Sequence, residues 1–286
     1  MQCTSSSFRH RSSRVPRGGG KRSVRFVASA TSVSSRGSVL QRSEKRIELY
    51  LLGGIELRGV DRDVADRLLA QAKLSALLAV LALAPEQRPQ RRDRIIGFLW
   101  PELDQAHART ALRKAVHALR AALGADIVRS RGDEEIGLAV PPMWCDAAEL
   151  AAAADSGKML RAVELYRGEL MPGFHLPDCA EFERWLDEER ALARERAAAS
   201  AWGLARSLES DSRLTDAGRM ARRAVRYSWD DERVLRRTIT MLARIGDHAG
   251  ALRLYEEFAA RMKQELDADP SPETVALVDS LRPSAR

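Results

Sequence analysis

Residues 108–123 read ARTALRKAVHALRAAL, and they carry Arg109, Arg113, Lys114, His117 and Arg120 with no acidic residue among them. On a helical wheel at about 100° per residue, Ala108, Leu112, Ala115, Val116, Leu119 and Leu123 fall within about 100° of one another. Arg109, Arg113, His117 and Arg120 occupy the adjoining sector of about 80°, with Lys114 further round. One stripe is therefore dry and one cationic. Asp104 supplies an N-cap before this helix and Gly124 a C-cap after it. Taken by itself, such a stripe is an ordinary solvated face whose ion pairs are each worth roughly 0–1 kcal/mol.

The flanking segments change that reading. Upstream, IELYLLGGIELRG (47–59) alternates apolar and polar residues at both ends of a Gly53-Gly54 pair and predicts a short hairpin. Leu68, Leu69, Ala72, Leu77, Leu78 and Leu81 recur at helical spacing up to Pro85. RRDRIIGFLW (91–100) predicts a second helix, closed by Pro101. Downstream, DIVRSRGDEEIGLAV (126–140) predicts a second hairpin around Gly132-Asp133-Glu134. Strands, three helices and a hairpin, in that order, predict a winged helix-turn-helix. In that layout the quoted helix enters the major groove of double-stranded DNA, and the hairpin reaches a neighbouring phosphate or the minor groove.

The candidate DNA-binding residues follow from this placement. They are His107, Arg109, Thr110, Arg113, Lys114, His117 and Arg120 on the third helix, Arg129 and Arg131 on the hairpin, and Arg91 and Arg92 where the second helix begins. Arginine can be bidentate to guanine, whereas the asparagine–adenine pair is unavailable because the chain has no asparagine. From Arg109 to Arg120 the helix rises about 16 Å, roughly five base pairs. So short a site predicts repeated half-sites, read by a dimer or by neighbouring copies.

The whole chain of 286 residues has a formal charge of +7, which suggests an anionic partner, but the charge is uneven. Nine Lys/Arg and no acidic residue lie in residues 1–43, leaving −2 for the remainder. Only a local face can therefore argue for nucleic acid. Residues 1–44, rich in Ser and Arg, are expected to be a disordered tail. An early start codon, a DNA-assisting arm and a transit peptide are its other readings. Its GGGK (18–21) is not a phosphate-binding loop, because Val15 and Arg22 stand where Gly and Ser/Thr are needed.

Cys3, Cys145 and Cys179 fit neither a disulfide framework nor a zinc site and point to a reducing cytoplasm. The longest apolar run, LSALLAVLALA (74–84), is too short to span a bilayer. His10, His107, His117, His175 and His248 are scattered, and His175 and Cys179 are separated by a Pro-containing loop. Glu188-Glu189 reads as a solvated pair. No hydrolase, zinc-protease or dinucleotide motif occurs, so neither catalysis nor a cofactor or metal is expected.

The second half repeats. GKMLRAVELYRGEL (157–170) and GDHAGALRLYEEFA (246–259) share Gly157/Gly246, Ala162/Ala251, Leu165/Leu254 and Tyr166/Tyr255. Ala217 precedes Ala251, and Leu208 precedes Leu242, by the 34 residues of a tetratricopeptide helix pair. A long helix near 181–208, with Phe182, Trp185, Leu186, Leu192, Trp202 and Leu204, is expected to pack the first unit onto the later ones. Gly168, Pro172 and Gly173 mark a turn that interrupts the repeat.

Several of these motifs resemble a known family. The LLAVLALAP helix end, Leu99-Trp100-Pro101 and the AR-x-x-L-R-x-A-x-x-x-L-R-x-x-L helix are similar to the DNA-binding half of the Streptomyces antibiotic regulatory proteins (SARPs). LYRGELMPGF (165–174), EFERWLDEER (181–190) and LDADPSPET (266–274) resemble that family's bacterial transcriptional activator domain. The resemblance covers about residues 47–280. It implies an OmpR-type winged helix over residues 45–141 and tetratricopeptide-like helices over 142–286. It also implies promoter binding at direct repeats, contact with RNA polymerase, pairing into a dimer on DNA, and a place on the nucleoid. A competing reading is a repeat scaffold whose winged helix serves protein contacts, since Asp133, Glu134 and Glu135 at the hairpin tip would repel phosphate.

Overall fold

A computed structural model describes residues 46–85, 88–139 and 143–282. The expected tail over 1–44, with GGGK, Cys3 and His10, lies outside them. The described residues are mainly helical, with eleven helices and six short strands.

The first hairpin forms as expected. β1 (Ile47–Tyr50) runs antiparallel to β2 (Glu56–Arg58), with Leu49 opposite Leu57. The single helix expected up to Pro85 is two: α1 (Arg62–Leu69) and α2 (Ala72–Ala82). Ala70 closes α1, the Ser75 hydroxyl donates to the Leu69 carbonyl at 3.1 Å, and Ala72 ends up exposed at the start of α2. The break lets α1 present one buried edge while α2 is buried almost throughout.

Next come β3 (Gln90–Arg91), α3 (Arg92–Leu99) and α4 (Gln105–Leu123). In α4 the Asp104 carboxylate accepts from the Ala106 and His107 N–H groups, and Gly124 closes the helix at φ 111°. The six residues of its apolar stripe are the helix's buried residues, so the wheel reading holds. The second hairpin pairs β4 (Val128–Arg131) with β5 (Glu135–Leu138), and β3 adds to β5 as a third strand. β6 (Met143–Cys145) returns to lie parallel to β1, giving a sheet ordered β2-β1-β6.

The helical half contains α5 (Asp146–Asp155), α6 (Met159–Leu165), α7 (Ala180–Ser210), α8 (Leu214–Tyr227), α9 (Glu232–Arg244), α10 (His248–Leu266) and α11 (Pro272–Asp279). Its repeat is visible in the turns. Lys158 N–H donates to Ala153, Arg213 to Leu208 and Asp247 to Leu242, each at 2.8 Å. The residue before each donor, Gly157, Ser212 or Gly246, has positive φ. This six-to-one closure is a Schellman turn, and it defines three pairs: α5/α6, α7/α8 and α9/α10. Five residues after each turn, Ala162, Ala217 and Ala251 are fully buried where paired helices touch.

No boundary in the apolar core separates the two halves. One buried cluster runs from Ile47 through the winged helix to Ala197 in α7. Trp185 of α7 lies against Phe98 of α3, with ring centroids 6.2 Å apart, and Phe182 stacks behind it at 5.4 Å. Further along, α7 packs Ala201, Ala205 and Leu208 against α8, with Trp202 and Leu204 at the edge. Leu192 is an exception to the expected packing: it is 42% exposed. Glu188 is exposed as expected, whereas Glu189 is half-buried and burial raises its carboxyl above the ordinary range.

Polar contacts reinforce the junction. Asp146, fully buried at the start of α5, accepts from the Leu51 and Leu52 N–H groups at 2.8 and 3.2 Å. The turn at 168–174 docks on the same segment. Gly53 donates to Glu169 and Met171 donates to Leu51 at 2.8 and 2.7 Å. A Cβ on Gly168 would come within 2.8 Å of the Gly53 Cα, so glycine is required there. Arg190 of α7 clamps this turn through the carbonyls of Leu170, Met171 and Phe174.

At the other end Glu232 fastens α11 to α9. It accepts from the Ser271 N–H at 3.1 Å and from the Ser271 and Thr274 hydroxyls. Burial pushes its carboxyl up, but these donors outweigh burial and hold it below its ordinary 4.5. A depressed carboxylate stabilises the fold above the unfolded-state pKa and loses that contribution as pH falls through the folded value. Amide exchange in 271–280 is therefore expected to accelerate relative to α8 as pH falls below about 4.5, and Glu232→Gln is expected to remove most of that pH dependence. Equal acceleration in α8 and α11 would refute the assignment.

Candidate nucleic-acid interface

The buried stripe of α4 fixes its rotation, so the cationic sector must face outward. His107, Arg109, Arg113, Lys114 and His117 are exposed, and Thr110 is half-buried. Thr110 is tied back to the Ala106 carbonyl at 3.0 Å, and Arg113 donates to the Thr110 hydroxyl at 3.0 Å. His107 Nδ1 lies 2.5 Å from Asp104, whose carboxyl is lowered by the His107 N–H and side chain. The side chains of Lys114, His117 and Arg129 have no hydrogen-bond or ion-pair partner among the described residues.

Two of the sequence candidates brace the wing. Arg120 is half-buried and gives Nε and a terminal nitrogen to the Val128 carbonyl at 3.0 and 2.7 Å. Arg92 donates to Ser130 at 3.0 Å, and its backbone N–H donates to the Glu134 carbonyl at 2.8 Å. That last bond occupies one of the free N–H groups expected at the helix start. Arg92 and Arg120 thus hold β4 and the wing tip against α3 and α4. Ser130, which receives Arg92 and lies 3.5 Å from Arg120, carried no signal in the sequence.

The α4 segment lacks internal acids, but α3 supplies one from outside. Asp93 lies 3.7 Å from Arg109 and 3.8 Å from Arg91, and Glu134 lies 3.9 Å from Arg91. Arg131 pairs with Glu135 at 3.7 Å. These separations exceed hydrogen-bonding range, and all but Glu135 are more than half exposed. Such pairs are worth about 0–1 kcal/mol, so a phosphate or base edge can replace the carboxylate at small cost. A cleft of about 680 Å³ between α3, α4 and the wing tip gathers Arg92, Arg109, Thr110 and Arg113 with Asp93, Asp133 and Glu134. His107, Lys114, His117, Arg91, Arg129 and Arg131 lie outside its lining.

Behind this face stands the helical half. Residues 146–282 match the family model described as the bacterial transcriptional activator domain. The chain carries a bacterial transcriptional activator domain. The match falls on the half of the chain whose motifs resemble that domain, and in the structure it follows the winged helix. A solved structure of Mycobacterium tuberculosis EmbR, in complex with a low-affinity phosphopeptide, is similar in fold, with a TM-score of 0.53 and 21% identity. The match covers 83% of this chain and 65% of the EmbR chain, so the chain spans just under two thirds of that relative. No curated protein matches the chain.

The activator domain accounts for the second set of motifs. Arg190 in EFERWLDEER clamps the turn in LYRGELMPGF, and Ser271 and Thr274 in LDADPSPET bind Glu232. The two cysteines within the described residues are packing groups. Burial pushes the Cys145 thiol up to about 12 and raises that of Cys179. Among the described residues no group of three or more His, Cys, Asp or Glu could hold a metal ion. No helix among them is long and apolar enough to cross a membrane.

Proposed function

We propose that the chain is a sequence-specific transcriptional activator of the cytoplasm and nucleoid. Residues 45–141 read promoter DNA, and residues 142–286 contact RNA polymerase or a second copy. In this reading α4 lies in the major groove, with Arg109 and Arg113 toward base edges and Thr110 toward a thymine methyl. His107, Lys114, His117, Arg91, Arg129 and Arg131 meet phosphates. Arg92 and Arg120 act one step back, by setting the angle of the wing. The observation that carries the reading is the exposed row from His107 to His117, on a helix whose adjoining stripe is sealed in the core beside a wing. Repeated half-sites follow from the short reach of α4, because one copy reads too few base pairs to specify a promoter; their direct orientation is what the family resemblance implies.

The scaffold reading draws on Asp93, Asp133 and Glu134, which place negative charge in the cleft. Binding-site selection from random duplexes, followed by titration of the full chain at several salt concentrations, separates the two. The activator reading expects an enriched repeated motif and a slope of about −0.9 in log K per neutralised phosphate. Arg113→Ala is expected to cost roughly 1–3 kcal/mol on the selected site and less on other duplexes, whereas Lys114→Ala weakens all duplexes alike. No enrichment, with no salt slope, would leave the scaffold standing.

A further inference from the structure

The three Schellman turns make α7 and α9 the first helices of consecutive pairs, with α8 packed against both. Between α7 and α9 lie two adjoining depressions of about 300 and 310 Å³, and Trp202 and Arg237 line both. The floor is apolar, with buried Ala198 and Met241 beside half-buried Trp202 and Val234.

The charges along this groove are not equivalent. Arg244 is paired with Glu209, Arg233 with Asp231, and Arg236 is held by Glu232 and Thr274. Arg206 on α7 and Arg237 on α9 are exposed and have no partner among the described residues. Both line the first depression, one on each wall, with Trp202 one turn from Arg206. Glu195 is the lining carboxylate without a partner, and it sits in the second depression, about three turns along α7 from Arg206. An unpaired guanidinium on each wall over an indole floor is complementary to carboxylates flanking an apolar side chain. Stacked helix pairs present such concave surfaces to extended ligands.

We infer that the α7–α9 groove is a docking site for an acidic peptide segment of a partner protein, with an apolar side chain on Trp202 and carboxylates on Arg206 and Arg237. This deepens the partner-contact part of the proposed function and does not depend on DNA binding.

The test uses the full chain and fluorescence anisotropy of a labelled peptide carrying Asp-Asp-Leu-Phe-Asp-Asp, with an Asn-for-Asp counterpart. The wild type is expected to bind the acidic peptide at least about tenfold more tightly than the Asn form, in line with two charge-assisted contacts. Arg206→Glu with Arg237→Glu is expected to abolish that preference. Both positions are exposed, so the fold is retained, as a thermal melt checks. Trp202→Leu is expected to weaken binding of the acidic peptide and the Asn peptide alike. Arg113→Ala controls for an acidic peptide settling on α4 and is expected to leave peptide binding unchanged. Equal binding of the two peptides, survival of the preference in the double reversal, or its loss in Arg113→Ala would each overturn the assignment. Separate titration of the double reversal with duplex DNA keeps the two readings distinguishable, because its DNA affinity is expected to match wild type.

Discussion

Replacing Asp146 with alanine is expected to lower the stability of the full chain by about 2–4 kcal/mol, because two buried backbone N–H groups lose their acceptor at about 1–2 kcal/mol each, the lower part of the usual range. The donors are Leu51 and Leu52, in the segment that joins β1 to the rest of the winged helix. Their partner sits at the first residue of α5, where the helix N-terminus also favours a negative group. The nearest cation, Arg167, is 4.0 Å away and half exposed, so the backbone donors carry the site. Burial raises the Asp146 carboxyl above its ordinary value, and the Leu51 and Leu52 N–H groups oppose that rise. Asn would keep one acceptor and turn an NH₂ toward the second donor, so Asp146→Asn is expected to fall between alanine and wild type. Thermal unfolding should show the alanine variant lower by roughly 5–12 °C. Asp155→Ala, at an exposed carboxylate 3.8 Å from Arg196, should stay within about 0.5 kcal/mol of wild type. An Asp146→Ala protein as stable as that control would remove the polar staple from the account.

Arg190→Ala is expected to cost a similar amount, about 2–4 kcal/mol, since hydrogen bonds to a charged group contribute about 1.5–3 kcal/mol. The side chain is 14% exposed, and its fork reaches the carbonyls of Leu170, Met171 and Phe174 at 3.0, 2.9 and 3.1 Å. A lysine is a point charge on a flexible stem and cannot span three carbonyls at once. Arg190→Lys is therefore expected to recover less than half of the loss in urea unfolding. Asp146 and Arg190 grip opposite sides of one contact, the Met171 N–H on the Leu51 carbonyl. Their double variant should lose clearly less than the two single losses added together. Strict additivity would mean that the two side chains act at independent places.

The parts of the fold that were legible in the sequence are those set by local periodicity and local turns. The stripe of α4 could be read because burial and helix geometry share one period, and both of its ends carried capping residues. The Gly157 and Gly246 turns were readable as a repeat because glycine marks positive φ; Ser212 occupies the same turn without that mark. What escaped depends on pairing between distant segments. β3 has two residues and β6 three, too few for alternation to register, and both exist because β5 and β1 accept them. The break at Ala70 follows from the different surroundings of α1 and α2 rather than from a breaking residue. At the interface, the wheel placed Arg120 beside Arg109 and Arg113 correctly. It had no means of knowing that β4 would bring the Val128 carbonyl to Arg120, or that Asp93 of α3 would stand beside Arg109.

The apolar cluster that continues from Ile47 to Ala197 has a mechanical consequence. If α4 reads DNA as proposed, this continuous core among the described residues makes the molecule a lever of constant angle. Whatever docks on its repeats is then presented at one azimuth around the duplex. Because B-DNA turns once in about 10–10.5 base pairs, moving the operator by half a turn would carry that cargo to the far side of the helix, and a full turn would bring it back.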